Sequence, residues 1–387
     1  MLDLSLAQHE RGHSVTVITR FAEDDAKFDS QLPFDVIRVP ANKSFLFGWK
    51  AFREIGNLLF RPDVIHSHGP AAFYYLIRRN NSDPPIVHTV HAVRRYQFKL
   101  FQDLPNLVKD FERTLGSRVI QEPKYYKKMS LSVGKEFLIE KYICQHADHV
   151  AVVAKYFANQ VNKYYGVPLD KISVTYNGST FSPSEVTNAD TSALRSFGIY
   201  DDNDIILYVG RTDWVKRVHI LVQAMPTLLK RFPRACLVIV GTGDQKADLL
   251  SLIEKLRLRA SVKLLGWIPH KNLPSLFKVS KCFCLPSYWE GLSKSLLEAM
   301  SAKVPIVATN NPSNRAVLQN SKLGWLVMES TPVAWSKTIE KILAGGGEVQ
   351  EKTHKGAKLL DQMYRWDHVT QRIDTAYQKV LEQCPIG

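Results

Sequence analysis

Two carboxylates in the second half of the sequence could bind a ligand at the edge of a sheet. Glu290 and Glu298 stand eight residues apart, between an apolar run at 282–285 and a β-branched run at 304–308. The two runs predict strands, and the segment that starts at Ser293 has a helical pattern. The carboxylates therefore lie near the carboxyl end of a strand, where open parallel sheets bind ligands.

Two cations follow another predicted strand. Arg211 comes after the apolar run 205–209, and Lys216 follows five residues later, ahead of a helical pattern. A cation at a strand end and a second one in the loop suit a phosphate or diphosphate, although an ordinary solvated basic loop has the same residues. Gly241 and Gly243 form a glycine-rich turn after the next strand. Alone this turn is weak evidence, because any tight turn favours glycine.

Apolar strand patterns alternate with helical patterns along most of the chain. This alternation predicts α/β domains with parallel sheets. A polar, turn-rich segment at 182–204 marks a domain boundary. We therefore expect two Rossmann-like, doubly wound domains, at residues 1–185 and 186–366, and two closing helices at 333–343 and 367–381.

The composition is that of a globular protein with excess positive charge. Of the 387 residues 45% are hydrophobic, and no apolar run approaches the roughly 20 residues of a membrane-spanning helix. Five cysteines without zinc-like spacing favour a reducing compartment and no disulfide framework. The net charge of +14 suits an anionic membrane lipid, a nucleic acid or a phosphorylated substrate, and charge alone does not choose among them.

Two segments of the first half stand out by their aromatic and basic residues. Residues 45–60 are amphipathic and rich in Phe and Trp. Lys50 and Arg53 lie within this segment, and Arg61 follows it. They predict a helix that either lies on a membrane surface or packs on the core. Residues 97–129 show no clear period, and we expect an irregular loop there.

Taken together, these motifs resemble the family-4 retaining glycosyltransferases, which share the two-domain GT-B fold. The resemblance covers nearly the whole chain. It is most specific in the second half, through YVGRTDWVKR, LVIVGTGD, LLGWIPHKNLPSLF, LPSYWEGLSKSLLEAMSAKVPIVAT and GWLV. The first half matches more loosely, through RGHSVTVIT, PDVIHSHG, IVHTVHAV and YNGSTF. The ending RWDHVTQRIDTAYQKVL is similar to the family's last helix, so segment 367–387 is expected to join the first domain.

The resemblance implies a role for each charged residue. Arg211 and Lys216 would hold the diphosphate of a nucleotide-sugar donor, and their charge would stabilise the leaving group in place of a metal ion. Glu290 would contact hydroxyls of the donor sugar, and Glu298 would accept both ribose hydroxyls. His91 would face the donor sugar across a cleft between the domains and assist a front-face, retaining transfer.

Backbone groups would complete the donor site. Amides at a helix start would add to the diphosphate contacts, from Gly291, Leu292 and Ser293. The turn at Gly241 and Gly243 would lie beside them. His66 and His68, on an earlier predicted strand, are expected to be structural. No metal ion and no cofactor besides the nucleotide sugar are expected.

The sequence departs from the family pattern at three places. Met1 falls inside the helix that follows the family's first strand and its Gly-Gly loop, so the first domain is expected to lack that strand; a start upstream would supply it. Lys216 is followed by Arg217, where the family usually has glycine. The third departure is the segment 311–313, Asn-Pro-Ser, which replaces a glycine-rich loop near the donor sugar.

We expect a metal-independent, retaining transferase that moves a hexose from a nucleotide sugar to a glycan, lipid-linked or other hydroxyl acceptor. The charge and segment 45–61 favour a cytoplasmic protein with peripheral contact to the inner face of an anionic membrane. A truncated or non-catalytic protein of this fold that binds a partner is the alternative, and GT-B epimerases and phosphorylases are others. Nucleic-acid binding is not expected, because the sequence contains no recognised binding module.

Overall fold

The structure, a computed structural model, describes residues 2–21, 28–41, 44–93, 123–179 and 181–383. Contacts divide these residues into two compact units. The first unit contains the described residues up to 93 together with 123–178 and 365–383, and the second contains 179–364. Each unit is described by itself below.

Strands and helices alternate along the described residues. The strands are β1 Thr16–Arg20, β2 Asp35–Val39, β3 Ile65–His68, β4 Ile86–Val90, β5 His149–Val152, β6 Ile172–Val174, β7 Asp204–Val209, β8 Ala235–Val240, β9 Val262–Gly266, β10 Ser280–Leu285, β11 Ile306–Thr309 and β12 Trp325–Val327. The helices are α1 Leu2–Glu10, α2 Ser44–Gly56, α3 Ala72–Arg78, α4 Pro123–His146, α5 Lys155–Tyr165, α6 Pro183–Thr187, α7 His219–Leu228, α8 Lys246–Lys255, α9 Leu273–Val279, α10 Lys294–Ser301, α11 Pro312–Val317, α12 Pro332–Leu343, α13 Gly347–Met363 and α14 Trp366–Gln383.

The first unit contains two parallel sheets, β1-β2 and β3-β4-β5-β6. Strands β4 and β5 are buried along their whole length, as strands in a parallel sheet covered on both faces are. The last helix, α14, packs on both of them and on α1. Arg11 and His13, just after α1, form ion pairs with Asp374 of α14 at 2.8 and 2.9 Å.

A cavity of about 830 Å³ lies between the two sheets of the first unit. Its walls include Thr16 and Ile18 of β1 and Ile65 and Ser67 of β3, together with side chains of α2, α3 and α14. Each of these strands pairs on one side only, with β2 and β4 respectively. Among the described residues no strand lies between them, and the expectation that the first domain lacks its first strand stays a prediction.

The second unit contains one parallel sheet in the order β12-β11-β10-β7-β8-β9. Its central strands are apolar and almost wholly buried, because helices cover both faces of the sheet. Helix α12 packs against α7 and inserts the fully buried Trp335 into this core. Cys282 and Cys284 of β10 are buried in the same core. Two parallel α/β units confirm the predicted fold class.

Two predictions about helices were wrong. Residues 123–129 of the expected irregular loop begin helix α4; residues 97–122 of that loop lie outside the described part of the chain. Helix α13 was missed between the two expected closing helices. Only Gly356, Ala357 and Leu360 of α13 are buried, so the helix has too narrow an apolar stripe for its period to be recognised.

Gly241 at the end of β8 fixes how closely two loops of the second unit approach each other. Its φ is +126°, and a Cβ at this position would overlap the carbonyl oxygen of Gly210 at the end of β7. We expect Gly241→Ala to lower the free energy of unfolding by about 2–5 kcal/mol, since backbone strain adds about 1–2 and steric overlap about 1–3 kcal/mol. Urea unfolding measures this loss.

Gly266 is the matched control for this prediction. It also has a positive φ, +73°, but nothing lies within 4 Å of a Cβ placed there. Gly266→Ala should therefore lose only the strain contribution of about 1–2 kcal/mol. Equal losses in the two variants would show that the loops tolerate a side chain at Gly241.

Candidate functional site

The site of the second unit lies where the strand order of the sheet reverses. The chain runs from β7 outward to β8 and β9, then returns to β10 on the other side of β7 and continues to β11 and β12. Ligands bind at such a switch point, beyond the carboxyl ends of the strands, because the loops diverge there and leave a crevice. The loops after β7 and β10 carry most of the charged residues that the sequence singles out.

Lys216 and Glu290 form an ion pair that joins these two loops. Nζ of Lys216 lies 2.7 Å from Oε1 of Glu290, and the two side chains are 18% and 7% exposed. The backbone N–H of Tyr288 donates to the carbonyl oxygen of Val215 at 2.8 Å and holds the loops side by side. The structure thus brings together the predicted phosphate-binding cation and the predicted sugar-binding carboxylate.

Arg211 points outward from the start of the β7 loop. Its side chain is 73% exposed, and Nη1 lies 3.0 Å from Oδ2 of Asp213. Asp213 also accepts hydrogen bonds from the backbone N–H of Lys216, through its carbonyl oxygen at 3.0 Å and its Oδ1 at 3.2 Å. Asp213 therefore shapes the turn that presents both cations. Sequence analysis did not single it out, although it stands within the same motif.

Arg217 has a backbone conformation that favours glycine. Its φ is +52°, in the left-handed region that side chains with a Cβ seldom adopt. The sequence resemblance places a glycine at this position, and the structure shows why glycine suits it. Here the side chain is anchored, because Nη2 of Arg217 donates to the carbonyl oxygen of Ser330 at 3.3 Å.

Gly241 and Gly243 allow the β8 loop to pack against the β7 loop. The backbone N–H of Thr212 donates to the carbonyl oxygen of Thr242. The backbone N–H of Gln245 donates to the carbonyl oxygen of Thr212. A Cβ at Gly243 would lie 2.6 Å from the carbonyl carbon of Thr212. The close packing of the β8 loop on the β7 loop thus requires both glycines. Their contact with a nucleotide-sugar donor stays a prediction.

Glu298 lies in α10 with its side chain almost buried. Its Oε1 is 3.0 Å from Nε2 of His270, which precedes α9. The His270 ring in turn packs on Phe181, with 4.7 Å between ring centroids. The sequence did not identify His270 as a site residue. Its position shortly after β9, also at the carboxyl edge of the sheet, is the signal that could have found it.

The loop between β10 and α10 is supported by the segment in which this sequence departs from the family pattern. Oγ of Ser313 donates to the carbonyl oxygen of Glu290 at 2.8 Å. Nδ2 of Asn311 donates to the carbonyl oxygen of Ser287 at 3.2 Å. Gly291 and Leu292 follow Glu290 and lead into α10, where the hydroxyl of Ser293 accepts the backbone N–H of Leu296. The polar replacements therefore hold the carboxylate loop in place.

His91 lies in the first unit, immediately after β4, so it does not belong to the cluster described above. Its Nε2 is 2.9 Å from Nδ1 of His68, at the end of the neighbouring strand β3. His66, on the same strand as His68, bonds Thr89 and Tyr377 at 2.6 and 2.7 Å. The predicted structural role of His66 agrees with these contacts. Among the described residues, no three His, Cys, Asp or Glu side chains are arranged to hold a metal ion.

These features define a class of protein: two parallel α/β units of Rossmann type, with a charged ligand site at the switch point of the second. The family profile described as Glycosyltransferase Family 4 matches residues 1–179, and the one described as Glycosyl transferases group 1 matches residues 190–359. Together the two profiles cover both units. The chain therefore belongs to the group 1, family 4 glycosyltransferases.

Individual relatives are distant in sequence and close in fold. An uncharacterized glycosyltransferase of Methanocaldococcus jannaschii is 29% identical over 64% of this chain and 63% of its own length. The sucrose-phosphate synthase structure from Thermosynechococcus elongatus superposes with a TM-score of 0.75 at 18% identity, over 98% of this chain and 92% of its own. The Anabaena protein HepE, solved with UDP and glucose, superposes with a TM-score of 0.72 at 16% identity, over 97% and 94%. These superpositions confirm the GT-B fold.

The buried ion pair gives a prediction about stability. Lys216→Met leaves the nearly buried carboxylate of Glu290 without its cation, and we expect the free energy of unfolding to fall by about 2–4 kcal/mol. The double variant Lys216→Met/Glu290→Gln should lose less, because a neutral amide is cheaper to bury than a carboxylate. Urea unfolding of the two variants and the parent protein measures both values.

The pair Lys355–Glu351 on α13 is the control, because both side chains are more than half exposed. Lys355→Met should change the unfolding midpoint within experimental error, since exposed ion pairs contribute little. A Lys216→Met effect as small as that of Lys355→Met, or a double variant less stable than the single one, would contradict the importance of the buried pair.

Proposed function

We propose that this chain transfers a hexose from a nucleotide diphosphate sugar to a hydroxyl acceptor, with retention of the anomeric configuration and without a metal ion. The observation that carries the proposal is the Lys216–Glu290 pair at the switch point of the second unit. In this pair a cation suited to a diphosphate lies directly beside a carboxylate suited to sugar hydroxyls. The family membership and the UDP-glucose bound in a structure of the fold neighbour HepE support the same chemistry.

Each side chain has a defined role in this proposal. The diphosphate binds Lys216 and Arg211, whose exposed guanidinium is able to leave Asp213 for a stronger anionic partner. The amides of Gly291, Leu292 and Ser293 add hydrogen bonds at the start of α10. Glu298, whose Oε1 lies 3.0 Å from Nε2 of His270, accepts the ribose hydroxyls with its carboxylate.

The transfer step breaks one bond and forms one. The bond between the anomeric carbon and the diphosphate oxygen breaks, while the acceptor oxygen attacks the same face of the sugar. The acceptor proton passes to the departing phosphate oxygen, so atoms and charge balance. Lys216 and Arg211 stabilise the negative charge that develops on the diphosphate, as a metal ion does in other transferases. His91 assists from the sugar side.

Binding of the donor tests the proposal directly. Glu298→Gln keeps the shape of the side chain but removes the charged acceptor of the ribose hydroxyls, and Lys216→Met removes the diphosphate cation. We expect each variant to bind nucleotide sugars at least about tenfold more weakly, a change of about 1.4 kcal/mol. Calorimetry with a panel of UDP-, ADP- and GDP-hexoses, together with an assay of slow donor hydrolysis, measures this.

Glu340→Gln is the matched control for the donor prediction. Glu340 also pairs with a cation of the second unit, Arg231, at 2.8 Å, but it lies on α12 and takes no part in the site. This variant should bind the same nucleotide sugar as tightly as the parent protein. A parent protein that binds no member of the panel, or equal affinities in the Glu298, Lys216 and Glu340 variants, would overturn the proposed function.

The acceptor in this proposal is a lipid-linked or membrane-surface glycan. Helix α2 supports this choice of acceptor, because one of its faces packs on the core and the other is exposed. Phe52 and Ile55 pack on the core of the first unit, whereas Leu46 and Trp49 are 37% and 41% exposed. Arg53 lies beside Trp49, with its guanidinium 5.3 Å from the ring centroid. An exposed apolar row next to cations suits the surface of an anionic membrane. None of the helices in the described part of the chain has the length and apolar character to cross a membrane.

Membrane contact has its own test. Trp49→Ser/Arg53→Ser removes an aromatic anchor and a cation worth about 1 kcal/mol near an anionic surface. We expect at least about fivefold weaker binding to vesicles that contain phosphatidylserine, measured by co-sedimentation at low salt. Ile77→Ser, which replaces an equally exposed apolar residue of α3, is the control and should bind as the parent does. Equal binding by both variants would remove the role of α2.

A further inference from the structure

Three imidazole rings form a column at the carboxyl ends of β3 and β4. The rings of His91 and His68 lie edge to edge with 5.2 Å between centroids, and those of His68 and His66 stack with 4.5 Å. The planes of both pairs are inclined by 27°. A hydrogen bond of 2.9 Å joins Nε2 of His91 to Nδ1 of His68. His91, at the top of the column, is exposed in its unit, while His68 and His66 are half-buried.

The lower end of the column is fixed by a directed chain of hydrogen bonds. The amide Nε2 of Gln8 donates to the hydroxyl of Tyr377 at 2.6 Å. The buried Tyr377 hydroxyl therefore directs its own proton to Nδ1 of His66, 2.7 Å away. His66 must then carry its proton on Nε2, which donates to Oγ1 of Thr89 at 2.6 Å. The ring of His66 is neutral and fixed in plane, so it forms a rigid base on which His68 stacks.

His68 is also neutral. Burial lowers its pKa well below the ordinary value, and the nearby imidazoles of His66, His91 and His88 lower it further. Burial likewise lowers the pKa of His66 and of His88 to about 3. A neutral His68 has one N–H and one nitrogen lone pair. If the lone pair is on Nδ1, His68 can accept the Nε2–H of His91 whether the His91 ring is neutral or charged.

We propose that His68 is a positioning residue for His91, accepting the Nε2–H of His91 at its Nδ1 and so fixing the ring plane and tautomer of His91. The proposal rests on the proposed function, because the role of His91 in transfer belongs to it. The contact of His68 with His66 and the bond between His68 and His91 together define the orientation of the His91 ring.

Two variants of His68 separate the hydrogen bond from mere packing. His68→Leu fills similar space but has no acceptor. In His68→Asn, Oδ1 takes the place of Nδ1 and can still accept from His91. Long-range ¹H–¹⁵N NMR spectra of the histidine side chains, recorded across a pH series, report tautomer and titration midpoint, and His91→Gln assigns the His91 signals.

In the parent protein we expect neutral His91 to be the Nε2–H tautomer. In His68→Leu the midpoint of His91 should fall, because its charged form loses an acceptor, and the Nδ1–H tautomer should become populated. His68→Asn should restore both properties. His149→Leu, which changes a buried histidine that bonds Ser173 on β6 instead, should leave the His91 signals as in the parent. A parent His91 in the Nδ1–H form, or a midpoint that is the same in His68→Leu and His68→Asn, would overturn the proposal.

Donor turnover supplies a second readout. His68→Leu should lower kcat at least about tenfold, because His91 then loses the fixed orientation from which it assists transfer. KM for the nucleotide sugar should stay within about twofold, because the proposed donor contacts lie in the second unit. His68→Asn should recover most of kcat. Equal losses of kcat in the Asn and Leu variants would count against positioning. If the parent protein neither binds nor hydrolyses a nucleotide sugar, the proposed function fails, while the NMR titration still decides the hydrogen bond.

Discussion

A carboxylate that is almost buried needs a cation beside it, and in the second unit this requirement organises the site. Glu290 stands 74 residues after Lys216 in the sequence, yet the two atoms of their ion pair are 2.7 Å apart. To keep them there, the loops after β7 and β10 bond each other through their backbones, and Asn311 and Ser313 bond the carbonyl oxygens of the β10 loop. A diphosphate that binds Lys216 must compete with Glu290.

The second constraint is close approach between backbones. The β7 and β8 loops touch through hydrogen bonds between Thr212, Thr242 and Gln245, and only glycine fits at 241 and 243. The glycine-rich turn and the basic loop are therefore one structural unit. In the first unit, side chains hold the histidines in place instead. Gln8 and Tyr377, from the first and last helices, fix the ring of His66 beneath His68 and His91.

The sequence was informative wherever a residue's environment follows from its neighbours in the chain. Continuous apolar runs predicted the buried strands, and the motif spacing placed Lys216, Glu290 and Glu298 at the carboxyl edge of a sheet. Contacts between distant segments were not predictable: His270 stands 28 residues before Glu298. Helix α13 begins at the last of three consecutive glycines and buries few residues, so its period is weak. The family resemblance marked Arg217 and the segment 311–313 as departures from the family pattern. Only the structure shows that the side chains of Arg217 and Ser313 anchor loops.

The gap in the first unit has a consequence for handling the protein. Within the part of the chain that the structure describes, β1 and β3 each have one edge without a paired strand, and both border the same cavity of about 830 Å³. Unpaired strand edges offer backbone N–H and C=O groups to any extended peptide that reaches them, including a segment of a neighbouring molecule. This sequence, concentrated in solution, therefore carries a built-in route to aggregation through edge-to-edge pairing. How readily the protein aggregates then depends on how well these two strand edges are covered.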